Sequence, residues 1–145
     1  MTRIISLLAL PVLIAAYVIL AVTGSLFSPS PLVIAAQVLA VGLSIWARRS
    51  FPKGAFRVAA APAASAVIRR GPYRFIRHPM YAANLLFLWA AVLSHASAWT
   101  VALAVAVTAV VSVRIVFEER ILRERYAAEY ETYTRETKAV IPFLI

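Results

Sequence analysis

The sequence of 145 residues contains no cysteine and has few glycines, histidines and acidic residues. Without cysteine, disulfides and thiolate metal sites are excluded. The four glycines stand apart from one another, so the chain has neither a dinucleotide-binding fingerprint nor a phosphate loop. The two histidines, His78 and His95, are well separated, which argues against a histidine-rich metal site, and we expect no bound metal. All acidic residues follow Phe117, and they suggest no Ser-His-acid arrangement.

Long apolar runs dominate the remainder of the sequence. It is 63% hydrophobic with a mean hydropathy of +0.84, which is too apolar for an ordinary soluble domain of this size. A helix of about 20 residues crosses a hydrocarbon core of about 30 Å. We therefore predict an all-α integral membrane protein with about four transmembrane helices. The four apolar runs are Ile4–Val22, Pro31–Ala47, His78–Ser94 and Ala98–Phe117.

The first apolar run has an alternative interpretation as a secretory signal, because Arg3 precedes it and small residues follow it. Its apolar core is longer than the usual 7–15 residues of a signal peptide, and a second apolar run follows closely. A transmembrane helix is therefore the favoured interpretation.

The charged residues are distributed unevenly between the connections. Ser25–Pro31 and Ser94–Trp99 contain no charged residue, whereas residues 48–77 contain eight basic residues and no acidic one. The positive-inside rule then places the amino terminus, the central segment and the carboxyl tail in the cytoplasm. The net charge of +9 is explained by this topology and by contact with anionic lipid headgroups, and we expect no nucleic-acid partner.

We predict a single membrane domain over residues 1–145. Residues 1–47 form two transmembrane helices, residues 48–77 a basic cytoplasmic loop that lies along the interface or folds over a site, and residues 78–117 two further transmembrane helices. Residues 118–145 form a cytoplasmic amphipathic helix and tail. Apolar and aromatic residues at Ile121, Leu122, Tyr126 and Tyr130 recur at three- and four-residue steps, which indicates this last helix.

Two polar helix faces are predicted at the cytoplasmic edge. His78 and Tyr81 are three residues apart and share one face, while Arg114 and Glu118 are four apart and share another; Glu119 points about 100° away. Polar groups within a membrane span usually face a partner or a cavity, so the two faces are expected to meet in a polar pocket. A purely structural alternative stays open, in which Arg114 pairs with Glu118 and His78 caps backbone groups.

The segments "GPYRFIRHPMY" and "RIVFEERIL" carry a family resemblance. Together with "IPF" near the end, they resemble the isoprenylcysteine carboxyl methyltransferases and their bacterial relatives, which share features with the phospholipid N-methyltransferases. The resemblance implies a multi-pass protein of a bacterial inner membrane. It further implies a methyltransferase that uses S-adenosylmethionine and a lipophilic substrate entering from the bilayer.

The resemblance also implies roles for individual residues. His78 and Tyr81 would contact the cofactor, Glu118 and Glu119 are further cofactor-site candidates, and Tyr73 would line the entrance. Arg77 and Arg114 would be the cations nearest the reacting groups and are the candidate catalytic residues. The family commonly has Asn-Pro after the third helix, where this chain has "SHASAW".

The chemical class of the acceptor is open at this stage. A prenylcysteine-like carboxylate is ionised at neutral pH and needs no general base, which agrees with the residues present. A phospholipid or small lipid amine would have to lose a proton, with Glu118, Glu119 or Tyr81 as acceptor. Two alternatives outside methyl transfer are an NADPH enzyme similar to sterol reductases and a non-enzymatic scaffold that binds anionic lipid. The oligomeric state is not predicted.

Overall fold

The computed structural model describes residues 2–51 and 67–140, with side chains described from Ala9 onward. Within these ranges the chain forms four α-helices and one short 3₁₀ helix. The α-helices are α1 (Thr2–Val22), α2 (Pro31–Arg49), α3 (Pro79–Ser94) and α4 (Ala98–Glu136), and the 3₁₀ helix is Gly71–Arg74. Half of the predicted cytoplasmic loop (residues 52–66) and the "IPF" motif (residues 141–143) lie outside the described residues.

The helix boundaries follow from local sequence. α2 and α3 each begin with a proline, whose fixed φ and missing N–H suit the first helical turn. α4 begins with a capping box, in which the Ser97 hydroxyl accepts a hydrogen bond from the Thr100 N–H and the Thr100 hydroxyl accepts one from the Ser97 N–H. Just beyond the end of α1, Gly24 adopts φ +68°, which glycine tolerates without strain.

Small and branched side chains form the core between three of the helices. α1 packs against α4, α3 packs against both α2 and α4, and the 3₁₀ helix packs against α2. The buried cluster consists of Ala16, Leu20, Leu88, Val92, Ala104, Val107, Val111 and Ile115. Large apolar side chains also cover the outer surface, among them Val18, Leu32, Val38, Val105 and Val116. Such extensive apolar exposure is unusual for a soluble monomer and is suited to lipid.

Among the residues that the structure describes, two helices are long and apolar enough to cross a membrane, namely α2 and the apolar part of α4. α3 has 16 residues and spans about 24 Å, which is short of a hydrocarbon core of about 30 Å. The described apolar part of α1, Ala9–Val22, is also short. The helices therefore support the prediction that the protein lies in a membrane. The count of four transmembrane spans and the cytoplasmic position of the termini stay predictions.

α4 continues without interruption past Phe117, where its apolar part ends, into the charged segment predicted to be cytoplasmic. Its backbone breaks at Ala127 instead, with φ 32° and ψ −110°. Non-glycine residues rarely adopt this conformation, so the break is locally strained. Beyond it, Tyr130 and Tyr133 are both buried.

Gly71 provides a test of how closely the 3₁₀ helix packs against α2. Its φ is +56°, and a Cβ built there would lie 2.1 Å from the hydroxyl of Ser50. We expect Gly71→Ala to destabilise the protein by about 2 kcal/mol, because it adds both backbone strain and a clash. Thermal unfolding in detergent would measure the change. Gly42→Ala is the matched control, since nothing lies within 4 Å of a Cβ at that helical position, and it should stabilise by about 0.5–1 kcal/mol. Equal effects of the two substitutions would contradict the close packing.

Candidate active site

The chain entering α3 is held in place by the chain leaving α4. Ile76 and Lys138 form a parallel β-bridge, and the Lys138 N–H donates to the Phe75 carbonyl at 3.2 Å. The backbone N–H groups of Arg77 and His78 donate to the carbonyls of Lys138 and Ala139 at 2.7 and 2.9 Å. These bonds fix the backbone just before Pro79, so the side chains of Arg77 and His78 are presented from a rigid segment.

Glu118 joins the two predicted polar faces. Its Oε1 accepts a hydrogen bond from the Tyr81 hydroxyl at 2.7 Å and another from Arg114 Nε at 2.9 Å. The guanidinium carbon of Arg114 lies 5.5 Å from the centroid of the Tyr81 ring, which is a cation–π distance. The predicted meeting of these faces is therefore observed. The same contact contains the Arg114–Glu118 ion pair, which the purely structural alternative also predicted.

Glu119 forms a second ion-pair centre beside the first. Its Oε1 accepts a hydrogen bond from Arg77 Nε at 2.8 Å, and Arg123 Nη2 lies 3.3 Å from its other oxygen. Arg77 also donates to the backbone carbonyls of Thr134 and Thr137. Although Glu119 is offset from Glu118 on the helix, both carboxylates thus reach the segment that begins α3.

The environment of Glu119 favours its ionised form. The residue lies just beyond the apolar part of α4. Burial alone would raise its carboxyl pKa, but nearby His78 and Arg77 outweigh burial, and the pKa falls from 4.5 to about 2. The carboxylate is therefore a permanent anion and a weak base at neutral pH.

This low pKa predicts an acid-dependent loss of stability. A carboxyl whose pKa is lowered by folding stabilises the folded state above its unfolded pKa, and that contribution disappears as the pH falls toward the folded value. We expect the wild-type protein to unfold at a higher temperature than Glu119→Gln at pH 7, and the difference to narrow between about pH 5 and pH 3. Thermal unfolding in detergent across that range would measure it. A difference that is constant with pH would contradict the assignment.

His78 lies between the two glutamates and is buried. Its Nε2 is 3.5 Å from Glu119 Oε1, its Nδ1 is 3.9 Å from Glu118 Oε2, and its ring stacks on Tyr81 with centroids 5.7 Å apart. Among the described residues, His78 Nε2 and the hydroxyl of Tyr130 are buried without a hydrogen-bond partner. Buried polar atoms are normally satisfied, so these two are available to a polar group of a bound molecule or to water.

Tyr73 occupies a different position from the other predicted residues. It is buried beside the ion pairs, its ring contacts Phe51 edge to face, and its carbonyl accepts a hydrogen bond from the Tyr133 hydroxyl at 2.6 Å. Burial, followed by the nearby Tyr133 and Glu118, raises the pKa of Tyr73. The six remaining predicted residues form the ion-pair cluster: Arg77, His78, Tyr81, Arg114, Glu118 and Glu119.

Three residues at this site were not predicted as functional from the sequence. Tyr130 contributes its buried hydroxyl, Tyr133 anchors Tyr73, and Thr137 offers its carbonyl to Arg77. Apolar and aromatic residues, including Tyr126 and Tyr130, recur at helical spacing in this part of α4, which indicates that it has a buried face. It does not indicate which structure that face would contact.

A family model describing phospholipid methyltransferases matches residues 30–129. This range is more than half of the chain and contains every residue of the ion-pair cluster as well as Tyr73. The chain belongs to the phospholipid methyltransferase family. Membership confirms the predicted relationship to integral membrane methyltransferases and, with the two long apolar helices, identifies a membrane methyltransferase. No individual curated protein matches the chain.

Proposed function

We propose that this membrane methyltransferase uses S-adenosylmethionine to methylate a lipophilic carboxylate, and that the ion-pair cluster is its active site. The observation that carries the proposal is the contact between the start of α3 and the middle of α4. There, two arginines, two glutamates and a histidine, all largely excluded from solvent, converge within the family match. The family relationship disfavours the reductase and scaffold alternatives.

The residues of the cluster fit S-adenosylmethionine, which members of this family generally use. The cofactor has a sulfonium, an ammonium, a carboxylate and an adenine ring. Glu118 and Glu119 match the two cationic groups. The aromatic faces of Tyr81 and His78 suit a cation or a flat ring. The unpartnered His78 Nε2 and Tyr130 hydroxyl add hydrogen-bonding capacity in the same place.

The cofactor supplies an electrophilic methyl group, whose bond to sulfur breaks as its bond to the acceptor forms. The protein's contribution is chiefly to hold the reacting groups in line and to exclude water. Arg77 and Arg114 are fixed by Glu119 and Glu118, so their guanidinium groups would orient an acceptor carboxylate without further ordering. Such positioning requires no proton transfer.

A carboxylate acceptor agrees with the acid–base properties of the cluster. It attacks as the anion, whereas an ammonium group must first lose a proton to a base. The pKa of Glu119 is about 2, which makes it a poor proton acceptor. Glu118 Oε1 already accepts two hydrogen bonds. These features support an O-methyltransferase that acts on a prenylcysteine-like substrate.

A lipid amine is the second candidate acceptor, and the matched family favours it because the family is described by phospholipid methylation. In that case a group of the cluster would have to accept the proton, and the low pKa of Glu119 leaves Glu118 and Tyr81 as the candidates. The two candidate acceptors therefore differ in whether the cluster takes up a proton.

The acceptor class can be tested with methyl-labelled S-adenosylmethionine and the full chain in detergent–lipid micelles. N-acetyl-S-farnesylcysteine and phosphatidylethanolamine would be offered separately. We expect label in the farnesylated product, released as volatile methanol by alkali, because methyl esters hydrolyse and N-methyl groups do not. Alkali-stable label in phosphatidylethanolamine alone would replace the carboxylate proposal by the amine. No transfer to either acceptor, together with no binding of S-adenosylhomocysteine, would contradict the methyltransferase assignment for this cluster.

A further inference from the structure

A second polar site is lined in part by Tyr133 and Thr137, which also contact Tyr73 and Arg77 of the candidate active site. It is an open cavity of about 520 Å³, which we call the arginine groove. Its lining includes Arg69, Arg70, Arg74, Tyr133, Glu136 and Thr137. The volume is within the range of small-molecule sites. None of the three arginines belongs to the ion-pair cluster.

The groove carries an excess of positive charge. Arg69 is neutralised by Glu136 at 3.0 Å and is held further by the Glu129 carbonyl, with its guanidinium 5.4 Å from the Tyr133 ring centroid. Arg70 and Arg74 are exposed, and neither is paired with a carboxylate among the described residues. Two guanidinium groups therefore remain to attract an anion into the groove.

The groove lies at the boundary of a membrane-spanning helix. Gly71, which also lines it, packs against Ser50 and Trp46 at the end of α2. α2 ends at Arg49, and Trp46 is half exposed there, as is typical of the interfacial aromatic belt. At this depth the abundant anions are the phosphate groups of lipid headgroups.

We propose that the arginine groove binds a phosphate group, supplied by the headgroup of an anionic membrane lipid. Arginine is suited to phosphate because its planar guanidinium donates two parallel hydrogen bonds to phosphate oxygens. Arg70 and Arg74 are the phosphate ligands, and the Arg69–Glu136 pair closes one side of the groove. The groove adjoins the ion-pair cluster through Tyr133 and Thr137, but its phosphate ligands are different arginines and the proposal does not depend on the proposed reaction.

The test is a calorimetric titration of the full chain in a non-ionic detergent with dihexanoyl phosphatidic acid, without S-adenosylmethionine. We expect saturable binding that Arg70→Gln with Arg74→Gln weakens by about tenfold or more, since two charge-assisted contacts are lost. The matched control is Arg48→Gln with Arg49→Gln, which removes two exposed arginines at the end of α2 and should change the Kd by less than about threefold. Equal weakening by the two double variants would overturn a specific site.

A parallel titration with inorganic phosphate at constant ionic strength identifies the source of the phosphate group. Binding of phosphatidic acid but not of inorganic phosphate supports the lipid headgroup. Equal affinity for the two probes retains the phosphate site but assigns it to a soluble ligand. Absence of saturable binding for both probes overturns the proposal. So does loss of S-adenosylhomocysteine binding in the groove variant with unchanged lipid binding, which would assign the groove to the cofactor.

Discussion

Replacing Glu119 with alanine should lower the stability of the protein by about 3 kcal/mol and its Tm by about 6–12 °C. Glu119 and Arg77 have side chains only 14% and 12% exposed, and their charges neutralise each other at 2.8 Å. Removing the carboxylate leaves the Arg77 guanidinium partly buried without its anion. The loss of one partner of a buried pair is much more destabilising than the loss of an exposed pair.

Glu124→Ala is the matched control for this substitution. Glu124 is on the same helix and pairs with Arg120 at i, i+4 spacing, with side chains 66% and 73% exposed. Its loss should change stability by less than about 1 kcal/mol. Thermal unfolding of both variants in the same detergent measures the contrast. If Glu119→Ala were as stable as Glu124→Ala, the ion-pair cluster would not hold α3 against α4.

Replacing Arg114 with lysine should lower kcat/KM for methyl transfer by about 10–100-fold. The substitution keeps the charge but removes the planar fork, which lysine cannot reproduce toward either Glu118 or an acceptor carboxylate. A charge-assisted hydrogen bond contributes about 1.5–3 kcal/mol, which corresponds to that range of rates. Because the proposal places Arg114 at the acceptor, the affinity for S-adenosylhomocysteine should change by less than about threefold.

Steady-state kinetics with the accepted substrate and a separate binding titration measure these two effects. Arg120→Lys serves as the control, since Arg120 is six residues further along α4 and highly exposed. An Arg114→Lys protein with kcat/KM near the wild-type value would remove Arg114 from the acceptor site. If Arg114→Lys also lost affinity for S-adenosylhomocysteine, Arg114 would be assigned to the cofactor site instead.

The helices themselves could be predicted from the sequence, because apolar runs bounded by proline, glycine and serine determine where they begin and end. The observed bounds of α2 and α3, Pro31–Arg49 and Pro79–Ser94, differ from the predicted runs by at most two residues. The contact of Tyr81 with the Arg114–Glu118 pair was also predictable, since helical spacing places these groups on faces at the same edge.

The second half of the site could not be predicted in this way. Arg77 reaches Glu119 because the chain leaving α4 turns back to pair with Ile76, and that pairing joins residues more than sixty positions apart. The backbone break that precedes it occurs at Ala127, although glycine is the residue that signals positive φ in a sequence. Local sequence patterns do not reveal such long-range contacts. The roles of Tyr133 and Thr137 at the site could therefore be recognised only from the structure.

The most direct test of the proposed active site is the affinity of the full chain for S-adenosylhomocysteine, compared between wild type, His78→Ala and His95→Ala. His78 is buried between Glu118 and Glu119, whereas His95 follows α3 at the opposite end of that helix. We predict saturable binding to the wild type, at least tenfold weaker binding to His78→Ala, and unchanged binding to His95→Ala. Equal affinity of all three proteins, or no binding to the folded wild type, would contradict the placement of the cofactor at the ion-pair cluster.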